Sequence, residues 1–440
     1  MTINKLIPSS GFARNVLKLM TGTVISQAVG ILAIPIISRL YSPEDYGIFM
    51  KYLGIVMIAS VFITFRYDYM IVLQKKKKNA VNLLVLALLI TLCVSFLSLI
   101  IVLLIPDTLE NLLKTEGLGR WLIYLPLSFL LFGIFQTFEN YHLRKKDFNK
   151  LRSGTISQSL TKSIVNIGLG FISSIKGGLI YGYIAGQIMV ITVFSIRRLK
   201  ILLINIRKYF DWNHCKEMAR KYRKTALPLI PSNVLGSLTN YLPFFLLAAF
   251  FSNDIAGIYG MSFNIVNLPM LAIGKALSDV SFKHTVDIIN SENSLAEYIE
   301  RIFARLLVIA ILPVLFLAIF AQPLFVFILG EEWRMTGLYV QILLPFFFFR
   351  FISIPITLFV QTGKTHLLLY WQIMTLISTV TALMAGKFFM FSDVASIALL
   401  SISNTFCYII IVVLNFKISG AKVKNTVREM KKILSKLIKK

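Results

Sequence analysis

The feature that most constrains the fold of this chain is a series of apolar runs that recurs along its whole length. A helix of about 20 apolar residues spans the ~30 Å hydrocarbon core of a bilayer, and a backbone in lipid must satisfy its own hydrogen bonds. The runs therefore predict an all-α integral membrane protein. We predict twelve transmembrane helices, at residues 16–39, 46–65, 80–105, 121–141, 154–174, 178–196, 226–250, 256–278, 303–322, 336–359, 366–388 and 394–416.

The composition supports a membrane protein and argues against other classes. Of the 440 residues, 57% are hydrophobic and 15% are charged, whereas soluble domains are less apolar and about 25% charged. The formal net charge is +26, but cytoplasmic loops of membrane proteins collect Lys and Arg, so we expect no nucleic-acid partner. The three cysteines have no CxxC spacing, which predicts neither a disulfide framework nor a metal site.

The basic residues predict the orientation of the spans. The loop after the second span contains Arg66 and the lysines 75–78, and the loop after the fourth span contains five Lys or Arg residues between 144 and 152. The alternate loops are poor in net positive charge. Because positively charged loops stay cytoplasmic, we predict a multi-pass protein of the cell membrane, or the inner membrane of a Gram-negative cell, with both termini cytoplasmic.

A basic segment between the sixth and seventh spans divides the chain. We predict an N-terminal six-helix bundle at 1–196, a basic cytoplasmic linker at 197–224, a C-terminal six-helix bundle at 225–416 and a basic amphipathic cytoplasmic tail at 417–440. The linker and the tail mix basic and apolar side chains, so we expect both to lie on anionic lipids of the inner leaflet. A merely solvated basic tail is the alternative.

The two predicted bundles begin with a similar motif. After the first span comes Ser42, a short acidic turn and then Gly47, Ile and an aromatic residue; after the seventh comes Ser252, a similar turn and then Gly257, Ile and Tyr. An even number of spans separates the motifs, so the halves are expected to be parallel repeats. Ser42 is also expected to cap a helix that begins at Pro43.

Polar side chains inside the spans are candidates for a cavity, because ionisable groups are costly in lipid and usually face a cavity or one another. On the fifth span, Gln158, Lys162 and Asn166 follow each other at helical spacing and share one face. We predict these substrate-binding residues: Arg66, Lys162, Lys275, Arg350, Gln158, Asn166, Asn233 and Asn240. For the amides the alternative is hydrogen bonding between helices, and for Arg66 it is an interfacial pair with Asp68.

Few acidic residues are available within the spans to balance these cations, and Glu139 and Asp68 are the nearest. The excess of cations predicts an anionic substrate. A diphosphate suits it, since Arg binds phosphate with a bidentate fork and Lys acts as a point charge.

Catalytic and nucleotide-binding motifs are absent from the sequence, including Walker A, G-x-S-x-G and H-E-x-x-H. We therefore predict a protein that is not an enzyme and has no cofactor. Energy for transport is expected from an H⁺ or Na⁺ gradient or from the gradient of the substrate.

Several motifs resemble the polysaccharide biosynthesis (Wzx-type) flippases of the MATE-like superfamily of multidrug, oligosaccharidyl-lipid and polysaccharide exporters. The residues that carry this resemblance are Ser26-Gln27, Pro35, the run 39–47, Phe65-Arg66-Tyr67-Asp68, the run 71–73, Pro228, Pro231-Ser-Asn233, Gly257-Ile-Tyr259 and Leu268-Pro269. The resemblance covers essentially the whole chain. Lipid II flippases are similar but usually carry two further helices.

The resemblance implies two six-helix bundles in a V-shape that work by alternating access. It implies transport of undecaprenyl-diphosphate-linked oligosaccharide repeat units, for O-antigen of lipopolysaccharide, capsule or exopolysaccharide, from the inner to the outer leaflet. A polymerase and chain-length regulator proteins of the same pathway are the expected protein partners.

Two other functions stay open on the sequence alone. A MATE-type antiporter that exports organic cations would need carboxylates within the membrane, whereas the spans of this chain contain more cations than anions. A non-transporting scaffold within a glycan-assembly complex is the second alternative.

Overall fold

The computed structural model describes residues 11–104, 118–172, 177–196, 199–289, 294–353, 358–359, 362 and 364–438. Within these ranges the regular secondary structure is helical, and no β-strand occurs. The α-helices are α1 (Gly11–Leu40), α2 (Pro43–Ile63), α3 (Tyr67–Val72), α4 (Lys77–Leu104), α5 (Gly119–Leu122), α6 (Leu125–Arg144), α7 (Phe148–Gly170), α8 (Gly178–Ser195), α9 (Leu199–Tyr209), α10 (Trp212–Ala226), α11 (Leu229–Phe250), α12 (Asn253–Ile289), α13 (Leu295–Leu329), α14 (Arg334–Ser353), α15 (Thr365–Phe388), α16 (Asp393–Ser419) and α17 (Val423–Ile438).

Twelve of these helices have 18 residues or more, and each overlaps one of the twelve predicted spans. Nine candidate spans in the described residues are both long and apolar enough to cross a bilayer. The other three long helices, α6, α7 and α12, contain more polar residues, among them Lys162 on α7. The prediction of an all-α, multi-pass membrane protein is confirmed.

The described residues form two compact units, 1–257 and 258–440. In the first unit, α1 and α8 pack on α7, α6 packs on α4, and α2 packs on α11. In the second unit, α14 packs on α13 and α16, and α15 packs on α16. The predicted division into bundles, linker and tail stays a prediction.

The turn between α1 and α2 has the predicted cap. The Ser42 hydroxyl accepts a hydrogen bond from the Asp45 amide at 3.2 Å, and the Asp45 carboxylate accepts one from the Ser42 amide at 3.3 Å. This capping box satisfies two amides at the helix start. The repeated motif is also capped, since the Ser252 hydroxyl accepts from the Ile255 amide at 3.2 Å.

The glycines of the two repeated motifs pack against each other's backbone. A methyl group on Gly47 would overlap the carbonyl oxygen of Asn253, and one on Gly257 would overlap that of Pro43. The first turns of α2 and α12 therefore cross at a distance that only glycine permits. This close approach explains why both motifs contain glycine at the same place.

Helices α9 and α10 dock on α3 and α4 instead of lying only on the membrane surface. The Asn82 side chain donates to the Tyr209 carbonyl at 2.9 Å and accepts from the Asp211 amide at 3.1 Å. The Met218 side chain is buried in a cluster with residues of α3 and α4. Part of the apolar side of the linker thus faces protein, and its contact with lipid stays a prediction.

Helix α17 packs on the start of α13. The buried Glu300 carboxylate accepts from the Lys422 amide at 2.7 Å and from the Asn425 side chain at 3.1 Å. Val423 and Leu434 remain exposed on the same helix. The tail helix therefore has one anchored face and exposed apolar side chains, and its contact with lipid stays a prediction.

Candidate functional site

The Arg66 side chain lies in a buried polar cluster between α2 and α3. Phe65 and Arg66 have φ values of 47° and 63°, a left-handed conformation that is unfavourable for residues other than glycine. The Arg66 side chain is buried, with its guanidinium carbon 5.1 Å from the centroid of the Tyr69 ring. The Arg66 Nε atom makes no hydrogen bond to any described residue.

Asp68 belongs to the same cluster and is only 1% exposed. The Asp68 carboxylate accepts hydrogen bonds from the Thr64 hydroxyl at 2.6 Å and from the Asn140 amide at 2.9 Å. Burial raises the pKa of Asp68, while the Thr64 hydrogen bond and the charge of Arg66 oppose that rise. Arg66 and Asp68 are thus both inside the first unit, which disfavours a solvent-exposed interfacial pair.

Asn166, one of the predicted residues on α7, lies at a helix contact. The glycines of α8 at 178, 182 and 186 form one stripe, and a methyl group on Gly182 would overlap the side-chain amide of Asn166. The Tyr41 hydroxyl also donates to the Asn166 carbonyl at 2.7 Å. Small residues at this spacing let membrane helices approach closely, so the position of Asn166 matches the alternative of interhelical bonding.

Lys162 and Gln158 lie one and two turns before Asn166 on the same stripe. The Gln158 carbonyl and the Lys162 Cβ lie next to Gly186 of α8, and the Lys162 carbonyl lies next to Gly182. The Lys162 ammonium, however, reaches the Phe49 ring of α2, at 5.2 Å from its centroid. Both side chains are half-buried, so they border accessible space in the first unit.

Lys51 on α2 is a buried cation that the sequence reasoning missed. Its side chain is 1% exposed. Lys51 shares a helix face with Gly47 and Gly54, and a methyl group on Gly54 would lie 2.7 Å from the Phe245 ring of α11. A lysine five residues after the start of the predicted span 46–65 was the signal that could have found it.

The two predicted asparagines of α11 are accessible. The Asn233 amide donates to the Leu229 carbonyl at 2.6 Å, and the Asn240 amide donates to the Gly236 carbonyl at 2.7 Å. Asn240 is exposed and Asn233 is half-buried. Exposed amides on a helix of this hydropathy are typical of a surface that meets water or a polar ligand.

Arg350 lies on α14 in the second unit and is 8% exposed. Its guanidinium carbon lies 5.2 Å from the centroid of the Phe263 ring and 5.6 Å from that of Phe346. These contacts are cation–π interactions, which stabilise a desolvated guanidinium. The side chain of Lys275, the last predicted residue, lies outside the described residues.

A polar cavity that the sequence did not indicate opens in the first unit. Its volume is about 380 Å³, and it lies beside the turn between α1 and α2. Tyr41, Glu44, Arg120 and Trp121 are among its lining residues. Carboxylate, guanidinium and aromatic groups can together bind a hydroxyl-rich ligand, by hydrogen bonds and ring contacts.

The structure brings the predicted residues together only in part. Gln158, Lys162 and Asn166 share one helix face, whereas Arg66 belongs to the cluster around Asp68. Within the part of the chain that the structure describes, no group of three or more His, Cys, Asp and Glu side chains is arranged to hold a metal ion. The use of all these residues in substrate binding stays a prediction.

Comparison with solved structures places the fold. The chain superposes on the lipid II flippase MurJ in an inward closed conformation with a TM-score of 0.70, 14% identity and coverage of 96% of this chain and 91% of that one. The MATE multidrug transporter DinF-BH superposes with a TM-score of 0.61 and 16% identity, with coverage of 97% of each chain. A MOP superfamily transporter from Pyrococcus furiosus superposes with a TM-score of 0.58 and 14% identity, with coverage of 92% of this chain and 95% of that one.

Comparison with protein families adds a match in sequence. No curated protein matches the chain. The profile of a family described as polysaccharide biosynthesis protein matches residues 36–337, which is more than half of the chain and includes both repeated motifs. The expected resemblance is thus confirmed: the chain belongs to this family of polysaccharide biosynthesis proteins and has a MATE-like fold.

Proposed function

We propose that this protein flips undecaprenyl-diphosphate-linked oligosaccharide repeat units, of O-antigen, capsule or exopolysaccharide, from the inner to the outer leaflet by alternating access. The observation that carries the proposal is the set of basic side chains within membrane-spanning helices. Lys51 on α2 and Arg350 on α14 are buried, and Lys162 on α7 is half-buried. Cations in such positions attract an anionic group, and a diphosphate has the charge and the oxygens to bind them.

The family and the fold support the same reading. Members of the matched family are described as polysaccharide biosynthesis proteins, and one protein with this fold is named as a flippase of lipid II. A lipid-linked saccharide fits both descriptions, because it is an intermediate of polysaccharide synthesis and also a lipid that must be flipped. The twelve long helices also supply enough membrane-spanning surface for alternating access, in which repeats rock around a site near the midplane.

In the proposed mechanism the chain binds the substrate in two ways. Arg66, Lys162, Lys275 and Arg350 receive the diphosphate and any acidic sugars, with the guanidinium groups binding two oxygens at once. Gln158, Asn233 and Asn240 donate to sugar hydroxyls, and the accessible amides of α11 suit this role best, whereas Asn166 holds the contact with α8. The H⁺ or Na⁺ gradient, or the substrate gradient, drives the cycle, and no cofactor takes part.

The test measures surface polysaccharide in a host that lacks its own flippase of this type. We expect Lys162→Ala and Arg350→Ala to lower surface polysaccharide about 10- to 100-fold, since a charge-assisted hydrogen bond contributes about 1.5–3 kcal/mol. Arg334→Ala is the matched control, because Arg334 begins the same helix as Arg350 and is exposed. A wild-type amount of surface polysaccharide in both Lys162→Ala and Arg350→Ala, at equal membrane expression, contradicts the cationic site.

The multidrug antiporter remains the alternative, favoured by the fold shared with DinF-BH and by the buried carboxyl of Asp68. Increased drug susceptibility on deletion, with normal surface glycans, would support it.

Copurification with a polymerase or a chain-length regulator tests the proposed protein partners, and binding to vesicles of anionic lipid tests the proposed role of α9, α10 and α17.

A further inference from the structure

The second unit contains an apolar cavity of about 230 Å³ between α12, α13 and α14. All fourteen residues that line it are apolar. Val266 and Pro269 contribute from α12, Ala310 and Val314 from α13, and Phe347 from α14. The chemistry of the lining excludes a polar ligand, because a buried hydroxyl or charge here would find no lining side chain to bond.

Prolines account for the space between the helices. Pro269 lies inside α12 and Pro313 inside α13, and both line the cavity. A proline inside a helix removes a backbone hydrogen bond and displaces the preceding turn. A proline in each of two helices beside the same space therefore favours a groove where regular helices would pack together.

The groove reaches the lipid-facing surface of the second unit. Three of its lining residues, Pro269, Ile309 and Pro313, are themselves exposed. Large apolar side chains next to it on α13, Leu312 and Phe316, are also exposed. An apolar chain that moves within the bilayer can therefore enter from the side without crossing a polar region.

A buried cation lies one aromatic ring away from the groove. The Phe347 ring, which lines the groove, is 5.7 Å from the Phe263 ring, centroid to centroid. On Phe263 lies the guanidinium of Arg350, at 5.2 Å. An occupant with an apolar chain and an anionic head matches both the groove and the charge beside it.

We propose that this groove holds the part of a polyprenyl tail that is next to the diphosphate, with the diphosphate at Arg350 and the remainder of the tail in the bilayer. The proposal rests on the proposed function, which supplies a polyprenyl-diphosphate substrate. It assigns the tail to α12, α13 and α14, and leaves the saccharide to the polar residues of the site. Tail and head are then recognised by separate side chains, so they can be tested separately.

The experiment is photolabelling of the full-length protein in nanodiscs of zwitterionic lipid. The probe is a polyprenyl diphosphate with a diazirine in one of the first isoprene units, and mass spectrometry locates the label. We expect the label on α12 and α13 at the groove. Val314→Trp, which fills the groove, should reduce that labelling at least tenfold, whereas Leu315→Trp, at a neighbouring residue that is 56% exposed, should not.

Competition separates the head from the tail. Unlabelled polyprenyl diphosphate should suppress the labelling, and an equal concentration of phosphatidylglycerol should not. Arg350→Gln should weaken the labelling of a groove that is still intact. Val266→Phe, on α12, fills the groove from the opposite wall. It provides a second, independent test in case Val314→Trp misfolds.

The outcomes distinguish the groove from the function. Equal labelling of the wild type and both filled variants, or equal competition by phosphatidylglycerol, overturns the tail site and indicates an ordinary bilayer lipid. If surface polysaccharide still depends on the protein while the label lies elsewhere, the groove is wrong and the flippase stands. If surface polysaccharide does not depend on the protein, the proposed function itself fails.

Discussion

The crossing of α2 and α12 makes a sharp prediction for Gly47→Ala. The new methyl would lie 2.9 Å from the carbonyl carbon of Asn253 and would overlap its oxygen. Non-bonded heavy atoms prefer a separation of about 3.5–4.0 Å, and the overlapping oxygen is the nearer obstacle, so the two backbones must separate by roughly 1 Å or more. Since the obstacle is backbone, no side-chain rotation relieves it. Overpacking of this kind costs about 1–3 kcal/mol.

The expected result is a loss of about 2 kcal/mol of stability in Gly47→Ala, measured by denaturant unfolding of the purified protein in detergent. Gly168→Ala is the matched control, because a methyl there meets nothing within 4 Å. In a helix, that change alone should stabilise by roughly 0.5–1 kcal/mol.

The double variant Gly47→Ala with Gly257→Ala extends the test. Both methyl groups force apart the same crossing, so the combined loss should be smaller than the sum of the single losses. If Gly47→Ala is as stable as Gly168→Ala, the reasoning is refuted, because the backbones of α2 and α12 are then not as close as the structure places them.

Three other changes test separate parts of the structure. Folding raises the pKa of Asp68. The stability that this carboxyl contributes is therefore present below about pH 4 and is lost as the pH rises through its folded pKa. In Asp68→Asn, denaturation at a series of pH values should show a smaller decline of stability with rising pH. Met218→Ala should cost about 2–5 kcal/mol and release α10, which limited trypsin digestion will detect as faster cleavage there; an unchanged rate would mean that α10 does not depend on this contact. Glu300→Ala removes the carboxylate that holds the Lys422 amide, a loss of about 1.5–3 kcal/mol, and hydrogen exchange of α17 should accelerate; unaltered exchange would place its anchor elsewhere.

The proposed site divides into residues whose surroundings could be read from the sequence and residues whose surroundings could not. The cations at 162 and 350 were recognisable because each is a charge far inside an apolar run, and such a charge has few uses in lipid. Asn166 and Gln158 are equivalent by spacing on one helix face, yet the Asn166 side chain is buried against Gly182 of α8, whereas that of Gln158 is only half-buried. Helical spacing specifies a face, but the helix that covers it is set by packing.

Lys51 shows the opposite error. It lies close to the predicted outer end of a span, where a long side chain can usually reach water, so its burial was not expected. Tertiary packing around α2 buries it. The docking of α9 and α10 on α3 and α4 was missed for a related reason, because a basic amphipathic pattern suits a membrane surface and a protein surface equally well.

The sequence by itself determined the membrane class, the number and approximate bounds of the long helices, and the cap at Ser42. These properties are local, because each span satisfies its own backbone hydrogen bonds and partitions into lipid by its own composition. The tertiary structure decided which polar groups are buried, why Gly47 and Gly257 are glycines, and where the cavities lie. These depend on which helices meet and how closely, and contacts between residues far apart in the chain carry no signal in the spacing of either helix.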